Sequence, residues 1–235
     1  MAKDLTILYI TANEMPERWL KFQVAHLLKS IGDTPIISIS RKPMDLGMNV
    51  VESEPKSYWN IFMQVLNGSL LAKTPYVAIA EDDTLYCKEH FTEFRPPMDK
   101  VSYNRSRWSL FTWDNIYCLR QRLSNCSMIG PRELLIEAFT EWKTKYPNGA
   151  PNGLVGEVGR PRVEKRLGVI PRPEVDWYST CPVVQLNHPT GTDVGHHKRD
   201  SDGRSMVKKH GQIKAFDIPY WGKATDIIKE YNGTV

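Results

Sequence analysis

The chain has 235 residues, 41% of them hydrophobic and 10% aromatic, enough to bury a real core as one domain, or as one domain with a small appendage. No stretch reaches the ~20 apolar residues that cross a bilayer. The opening MAKDLTILYI sets a charge directly before a strand-length apolar run, unlike a signal peptide, so a cytoplasmic location is expected. The formal charge of +4 lies in the last third: residues 160–235 hold 13 Lys and Arg against 9 Asp and Glu, whereas residues 1–159 hold 18 of each.

In chain order, LTILYITA is a short β-rich apolar run ending in polar residues, which predicts a buried strand feeding a loop. A helix follows: Leu20, Val24, Leu27, Leu28 and Ile31 recur at helical spacing, Pro16 sits near the start and Gly32 stops it. TPIISIS predicts a second strand, followed by a loop containing Pro43 and Gly47. In SYWNIFMQVLNGSLLAK, Tyr58, Ile61, Phe62, Val65 and Leu66 share one helical face, with Ser57 placed to cap it. YVAIA is the third strand. Strand, helix, strand, helix, strand at this spacing predicts parallel strands with right-handed crossovers.

That third strand delivers three carboxylates, Glu81, Asp82 and Asp83, to one point. In an open parallel sheet, ligands collect outside the carboxyl ends of the strands, near the switch in strand order. Thr11 and Asn13 after the first strand, and Ser40 and Arg41 after the second, would line the same edge. Adjacent acids raise one another's pKa unless something positive neutralises them. A divalent cation does so, and carboxylate oxygens suit Mg²⁺ or Mn²⁺, whereas a thiolate-rich site would suit zinc. The plainer alternative is an acidic turn in which Asp82 or Asp83 caps the following segment. Cys87, Cys118, Cys126 and Cys181 show no CxxC pairing, so reduced, mostly buried thiols are expected in place of a zinc ribbon or disulfide framework.

AIAEDDTLY in this setting resembles the acidic DXD-type motif of GT-A glycosyltransferases, particularly the family-2-like inverting group that binds nucleotide sugars. The resemblance covers about residues 4–190. It implies an α/β, Rossmann-like fold with a mostly parallel central sheet flanked by helices: a single domain (1–190) whose basic extension (191–235) completes the active site. It further implies a metal on Asp83, ribose or sugar at Asp82, and a nucleotide-sugar donor held by Thr11, Asn13, Ser40, Arg41, Glu81, Asp82 and Arg199. Such enzymes carry a later acid that deprotonates the acceptor hydroxyl. In GLVGEVGRPRVEKRLG, Glu157 stands in about that place, although Val158 replaces the usual second acid and Glu164 is a rival. A late histidine completes the metal shell in some relatives; His188 and His196 rank above His197 here. Lys198, Arg199 and Arg204 would then meet the departing diphosphate. UDP is the carrier expected from the family's habit alone, and Mn²⁺ or Mg²⁺ the cofactor.

The remaining segments bear on the acceptor. RWSLFTWDNIYCLRQRLSNCSMIGPRELLIEAFTEW predicts an aromatic strand-like stretch and then a helix with Leu134, Leu135, Ala138, Phe139 and Trp142 on one face. Trp113 and Asp114 are candidates to stack on and hold an acceptor sugar, with a packed tryptophan beside a solvent-facing aspartate as the plainer reading. CPVVQLNHP predicts a final strand leading into a histidine-rich loop, and residues 196–214 hold six basic and two acidic residues. The acceptor expected first is a saccharide or lipid-linked glycan. A modified base in DNA is the second possibility, tracked by the basic final third with Phe216, Tyr220 and Trp221; a non-catalytic binding module is the third. YITANEMPERW has no glycine, which excludes a dinucleotide fingerprint and the phosphate-cradling first loop of a sugar-nucleotide pyrophosphorylase; the spacing of GTDVGHHKRD excludes a P-loop.

Overall fold

The computed structural model describes residues 3–120, 122–151, 153–189 and 213–233. The first strand, β1 (Leu5–Ile10), is buried at every residue, as a strand covered on both faces must be. α1 (Glu17–Ile31) crosses to β2 (Ile36–Ser40), which continues to β3 (Met48–Val51). α2 (Tyr58–Leu71) then carries the chain back to β4 (Tyr76–Glu81), on the opposite side of β1. β1 pairs in parallel with both β2 and β4. The gap between the β1 and β4 carboxyl ends is therefore the topological switch point of the sheet.

Two features differ from the sequence reading. β3 occupies a stretch read as loop, so YVAIA is the fourth strand in chain order. β3 is a four-residue edge strand with no fully buried residue, and it lacks the apolar run that marks the central strands. On α1 the buried residues are Trp19, Gln23, Leu27 and Ile31, while Leu28 is 44% exposed. A buried glutamine is invisible to a search for apolar periodicity, which displaced the expected face. α2 follows expectation more closely: Ser57 accepts a hydrogen bond from Asn60 N at 3.0 Å, and Phe62, Val65 and Leu66 are buried. Gly68 lets α2 sit against β1, because a Cβ there would lie 2.8 Å from the Leu8 methyl groups.

The chain continues through β5 (Thr84–Leu85), α3 (Lys88–Thr92), β6 (Val101–Asn104), β7 (Arg107–Phe111), β8 (Asp114–Leu119), a 3₁₀ turn (Asn125–Ser127) and β9 (Met128–Pro131). α4 (Arg132–Lys145), α5 (Pro161–Leu167), β10 (Glu174–Trp177) and β11 (Val183–Asn187) follow. The large sheet has the order β10-β6-β9-β4-β1-β2-β3, with β9 antiparallel to both neighbours and every other pair parallel. This is the mixed α/β architecture with a mostly parallel sheet that the sequence predicts. α2 and α4 build one apolar core on one face; Leu135, Ala138, Phe139 and Trp142 of α4 all belong to it.

β11 is not the last strand. β12 (Lys214–Ala215), β13 (Asp217–Ile218), β14 (Gly222–Lys223) and α6 (Ala224–Asn232) come after it. A second sheet, β12-β8-β7-β11-β5, joins the tail to the body, and Ile227 and Ile228 of α6 share a core with Trp19, Leu110 and Leu186. The described part of the C-terminal extension thus contributes Ile218, Ala224, Ile227 and Ile228 to a core. All four cysteines are free and buried. Among the described residues no helix is long and apolar enough to cross a membrane.

Candidate active site

The acidic turn is built before its side chains are considered. Trp19 and Gln23 stand one helical turn apart on α1 and reach its main chain together. Trp19 Nε1 donates to Asp82 O at 2.7 Å, and Gln23 Nε2 donates to Glu81 O at 3.3 Å and Thr84 O at 2.9 Å. Tyr9 OH donates to Gln23 Oε1 at 3.0 Å, which fixes the amide's orientation. From the other side Glu81 N donates to Tyr86 OH at 3.0 Å, and Leu186 N to Asp83 O at 2.7 Å. Each of residues 81–84 has its backbone tied, three of them by α1 and Asp83 by β11, so the carboxylates project from a rigid platform.

These carboxylates face a cleft of about 190 Å³ at the carboxyl ends of β1 and β4. Glu81, Asp82, Asp83, Thr11, Arg41, Glu157 and His188 all line it. Thr11 Oγ1 donates to Asp82 Oδ2 at 2.5 Å. Asp83 Oδ1 accepts from Thr84 at 2.7 Å, and its Oδ2 accepts from Gln185 Nε2 at 3.3 Å. Gln185 Oε1 in turn accepts from Arg107 Nη1 at 2.5 Å. Arg107 is fully buried, a fixed positive charge behind the acids.

That one guanidinium does not neutralise the turn. Burial first, and the neighbouring Asp83 second, push Asp82 up to about 7, against the opposing pull of Thr11 and Lys56. Burial and the two aspartates likewise hold Glu81 well above the ordinary carboxylate range, with Arg107 countering them. His188 is lowered by burial, while Asp83 acts in the opposite sense. The turn therefore carries a charge deficit that a cation would fill. Its carboxylate oxygens are the donor type that suits Mg²⁺ or Mn²⁺, and His188 lines the same cleft.

The cleft also carries bases. Lys56, Arg41 and Arg122 line the cleft, with Glu14 bridging Lys56 at 2.6 Å and Arg41 at 3.8 Å. Glu157 enters from the segment before α5, where Arg160 Nη1 donates to its Oε2 at 2.6 Å. Val158, which stands where a second acid was expected, is fully buried in the core, and its carbonyl accepts from Tyr103 OH at 2.6 Å. Gly159 has φ +82, and a Cβ there would lie 2.8 Å from side-chain carbons of Glu174 and Val101. The rival Glu164 is buried on α5, accepts from Arg172 N at 3.1 Å, and is absent from the cleft lining.

Other expected residues are placed differently. Asn13, in a left-handed conformation (φ 55), accepts at its Oδ1 from the amides of Arg41 and Lys42 at 2.8 Å each, so it ties the β1 and β2 loops together behind the cleft wall. Ser40 is buried; its hydroxyl donates to Lys42 O and accepts from Asn49. Trp113 and Asp114 stand at the β7–β8 turn, outside the cleft lining, with the Trp113 ring 5.4 Å from that of Phe111. His196 and Arg199, like His197, Lys198 and Arg204, lie outside the described residues.

Several lining residues were not anticipated: Lys56, Tyr58, Arg122, Asn125 and Gln185. Gln185 carried a signal, a polar residue in the apolar strand VVQLN. Lys56 and Arg122 carried none, because a basic residue in a loop is ordinarily a solvated one.

No protein-family model matches the chain, and no curated protein matches its sequence. Among solved structures, the chain is similar to the mannosyltransferase PcManGT from Pyrobaculum calidifontis in complex with GDP-Man and Mn²⁺. Identity is 12% and the TM-score 0.45, over 78% of this chain and 56% of that one, so the chain spans little more than half its length. It is also similar to S. aureus TarS 1–349 in complex with UDP-GlcNAc, at 10% identity and TM-score 0.46, over 85% and 63% of the two chains. A third similar structure is 2-C-methyl-D-erythritol 4-phosphate cytidylyltransferase from Thermus thermophilus, at 9% identity and TM-score 0.45, over 77% and 91%. Likeness at this level carries no argument about chemistry, which rests on this chain's own residues.

Proposed function

We propose that the protein is a metal-dependent glycosyltransferase that moves a sugar from a nucleoside diphosphate sugar, UDP-linked by preference, to a hydroxyl acceptor with inversion. The observation that carries this reading is one cleft, at the switch point of a mostly parallel sheet, lined by an under-neutralised acidic turn, basic side chains and a separate carboxylate. Asp83 and His188, with Asp82 beside them, are the residues that would hold Mn²⁺ or Mg²⁺. Such an ion, when bound, supplies positive charge to the donor's diphosphate.

The chain's own residues do the rest. Glu157 takes the proton from the acceptor hydroxyl, the oxygen attacks the anomeric carbon, and the bond from that carbon to the phosphate oxygen breaks with its electron pair leaving on the diphosphate. Arg41, Lys56 and Arg122 line the cleft where that charge develops, and fixed charges there act without reorganisation. Arg107, through Gln185, holds Asp83 in one orientation. Residues 191–235 are proposed to complete the site, with His196 and Arg199 contributing; in the described part, the Tyr231 ring of α6 lies 6.1 Å from that of His188. The glycine-free loop after β1 favours transfer from a preformed nucleotide sugar over synthesis of one.

A thermal-shift screen of nucleotide sugars with and without Mn²⁺ tests the reading. Ligand at 100 times Kd stabilises the native state by about 2.7 kcal/mol. A shift with UDP-sugars only when metal is present is expected; no shift with any nucleotide sugar under either condition would sink the proposal.

A further inference from the structure

The antiparallel β5–β11 ladder has chemistry at both ends. Thr84 pairs with Gln185 and Leu85 with Val184, so Asp83 and Gln185 belong to the cleft end. At the far end, Cys87 follows β5 by two residues and Cys181 precedes β11 by two. The two sulfurs and a carboxylate oxygen of Glu89 all lie within 4.8 Å of one another. Both cysteines are buried, at 2% and 3% exposure.

The scaffold around them is firm. Cys87 is the N-cap residue of α3. Glu93 of the same segment accepts from Thr180 N at 2.9 Å and from the Thr180 hydroxyl, and Ser179 Oγ donates to Cys181 O at 2.5 Å. Trp221 Nε1 donates to Pro182 O at 2.7 Å, tying the β13–β14 turn to the same strand entry.

Inert buried thiols would account for part of this, since Cys87 Sγ donates to Cys181 O at 3.0 Å. They leave Glu89 unexplained. Among the described residues its Oε2 is buried with no hydrogen-bond partner. A buried carboxylate oxygen is costly to leave unpaired, and a cation is its natural complement.

We propose that Cys87, Cys181 and Glu89 form a binding site for a thiophilic divalent cation, Zn²⁺ fitting best, with water as the fourth ligand. Tetrahedral zinc with bonds of about 2.3 Å to sulfur places the sulfurs roughly 3.8 Å apart, inside the observed limit. Binding displaces one proton from each thiol to solvent. Donor hardness would then sort two cations in one molecule: oxygens at the acidic turn for Mn²⁺ or Mg²⁺, sulfurs here for zinc. The zinc would staple the start of α3 to the entry of β11, fixing the far end of the ladder that carries Asp83 and Gln185. The site does not depend on the donor-sugar reading.

The test uses the full chain, tag-free, reduced and stripped of metal, titrated with Co²⁺. We expect one Co²⁺ per chain with a thiolate-to-cobalt charge-transfer absorption that Zn²⁺ displaces. Cys87→Ser and Cys181→Ser should each lose that absorption. Glu89→Gln keeps both thiols and should weaken Zn²⁺ binding about tenfold or more, which guards against a cysteine variant that fails to fold. Asp83→Ala should retain the absorption, separating this site from the cleft. The proposal is overturned if the folded wild type gives no charge-transfer band, if the band survives in the Cys87→Ser/Cys181→Ser double variant, or if Glu89→Gln binds Zn²⁺ as tightly as wild type.

Discussion

The two acidic parts of the cleft are constructed in opposite ways. Residues 81–84 extend a buried strand, and their backbone is gripped by Trp19, Gln23, Tyr86 and β11. Glu157 stands on an irregular segment secured by Val158, Gly159 and one ion pair to Arg160. The difference matches the two tasks proposed above. Charges that must stay close despite repulsion need a scaffold strong enough to hold them there, whereas a carboxylate that meets an incoming acceptor needs access. In the first arrangement burial, and then the neighbouring Asp83, raise the pKa of Asp82.

The comparison can be broken most directly at Asp83. Asp83→Ala is expected to lower metal-dependent UDP-sugar binding by more than about 100-fold, with an unchanged circular dichroism spectrum; undiminished turnover would remove the metal from the reaction. Glu157→Gln should leave donor binding intact while transfer falls about 10²–10⁴-fold, read by separate calorimetric and turnover measurements. Loss of donor binding instead would move Glu157 out of the acceptor's half of the cleft.

Stability measurements sharpen the contrast between scaffolds. Gln23→Leu strands two backbone carbonyls and the Tyr9 hydroxyl in the interior, so urea denaturation should show a loss of about 2–4 kcal/mol.

The pH dependence of the metal-free protein follows from Asp82. Its pKa is about 7 in the folded state and 3.8 in the unfolded chain, so between those values the native state binds the extra proton. The stability from this group is therefore full below about pH 4 and is lost as pH rises through about 7. Relative to wild type, metal-free Asp82→Asn should become progressively more stable across that window, and saturating Mn²⁺ should flatten the difference. A difference that runs the other way would mean the aspartate is already neutralised. Arg160→Ala is expected to cost less than about 1 kcal/mol, because the pair it breaks is partly exposed; a larger loss would make the Glu157 segment as rigid as the acidic turn.

Much of this was legible in the chain. Unbroken apolar runs such as LTILYI and YVAIA mark strands covered on both faces, and two helical periods between them dictate parallel crossovers. That placed Thr11, Arg41 and the acids at one edge. The reading faltered where polar residues do structural work. Gln23 hid the true face of α1, and Ser40 and Asn13 proved to be loop ties. β3, too short and too exposed to declare itself, was missed.

By itself, then, the sequence determined the parallel order of the first strands and the delivery of three acids to a sheet edge, because local periodicity and strand polarity are properties of short segments. Only the tertiary structure decided which groups surround those acids. Arg107, Gln185, Lys56, Arg122 and Glu157 arrive from distant positions in the chain, Gln185 from 102 residues beyond Asp83. Their convergence depends on how β5, directly after β4 in the chain, joins the second sheet through β11, a long-range packing outcome that no local pattern encodes.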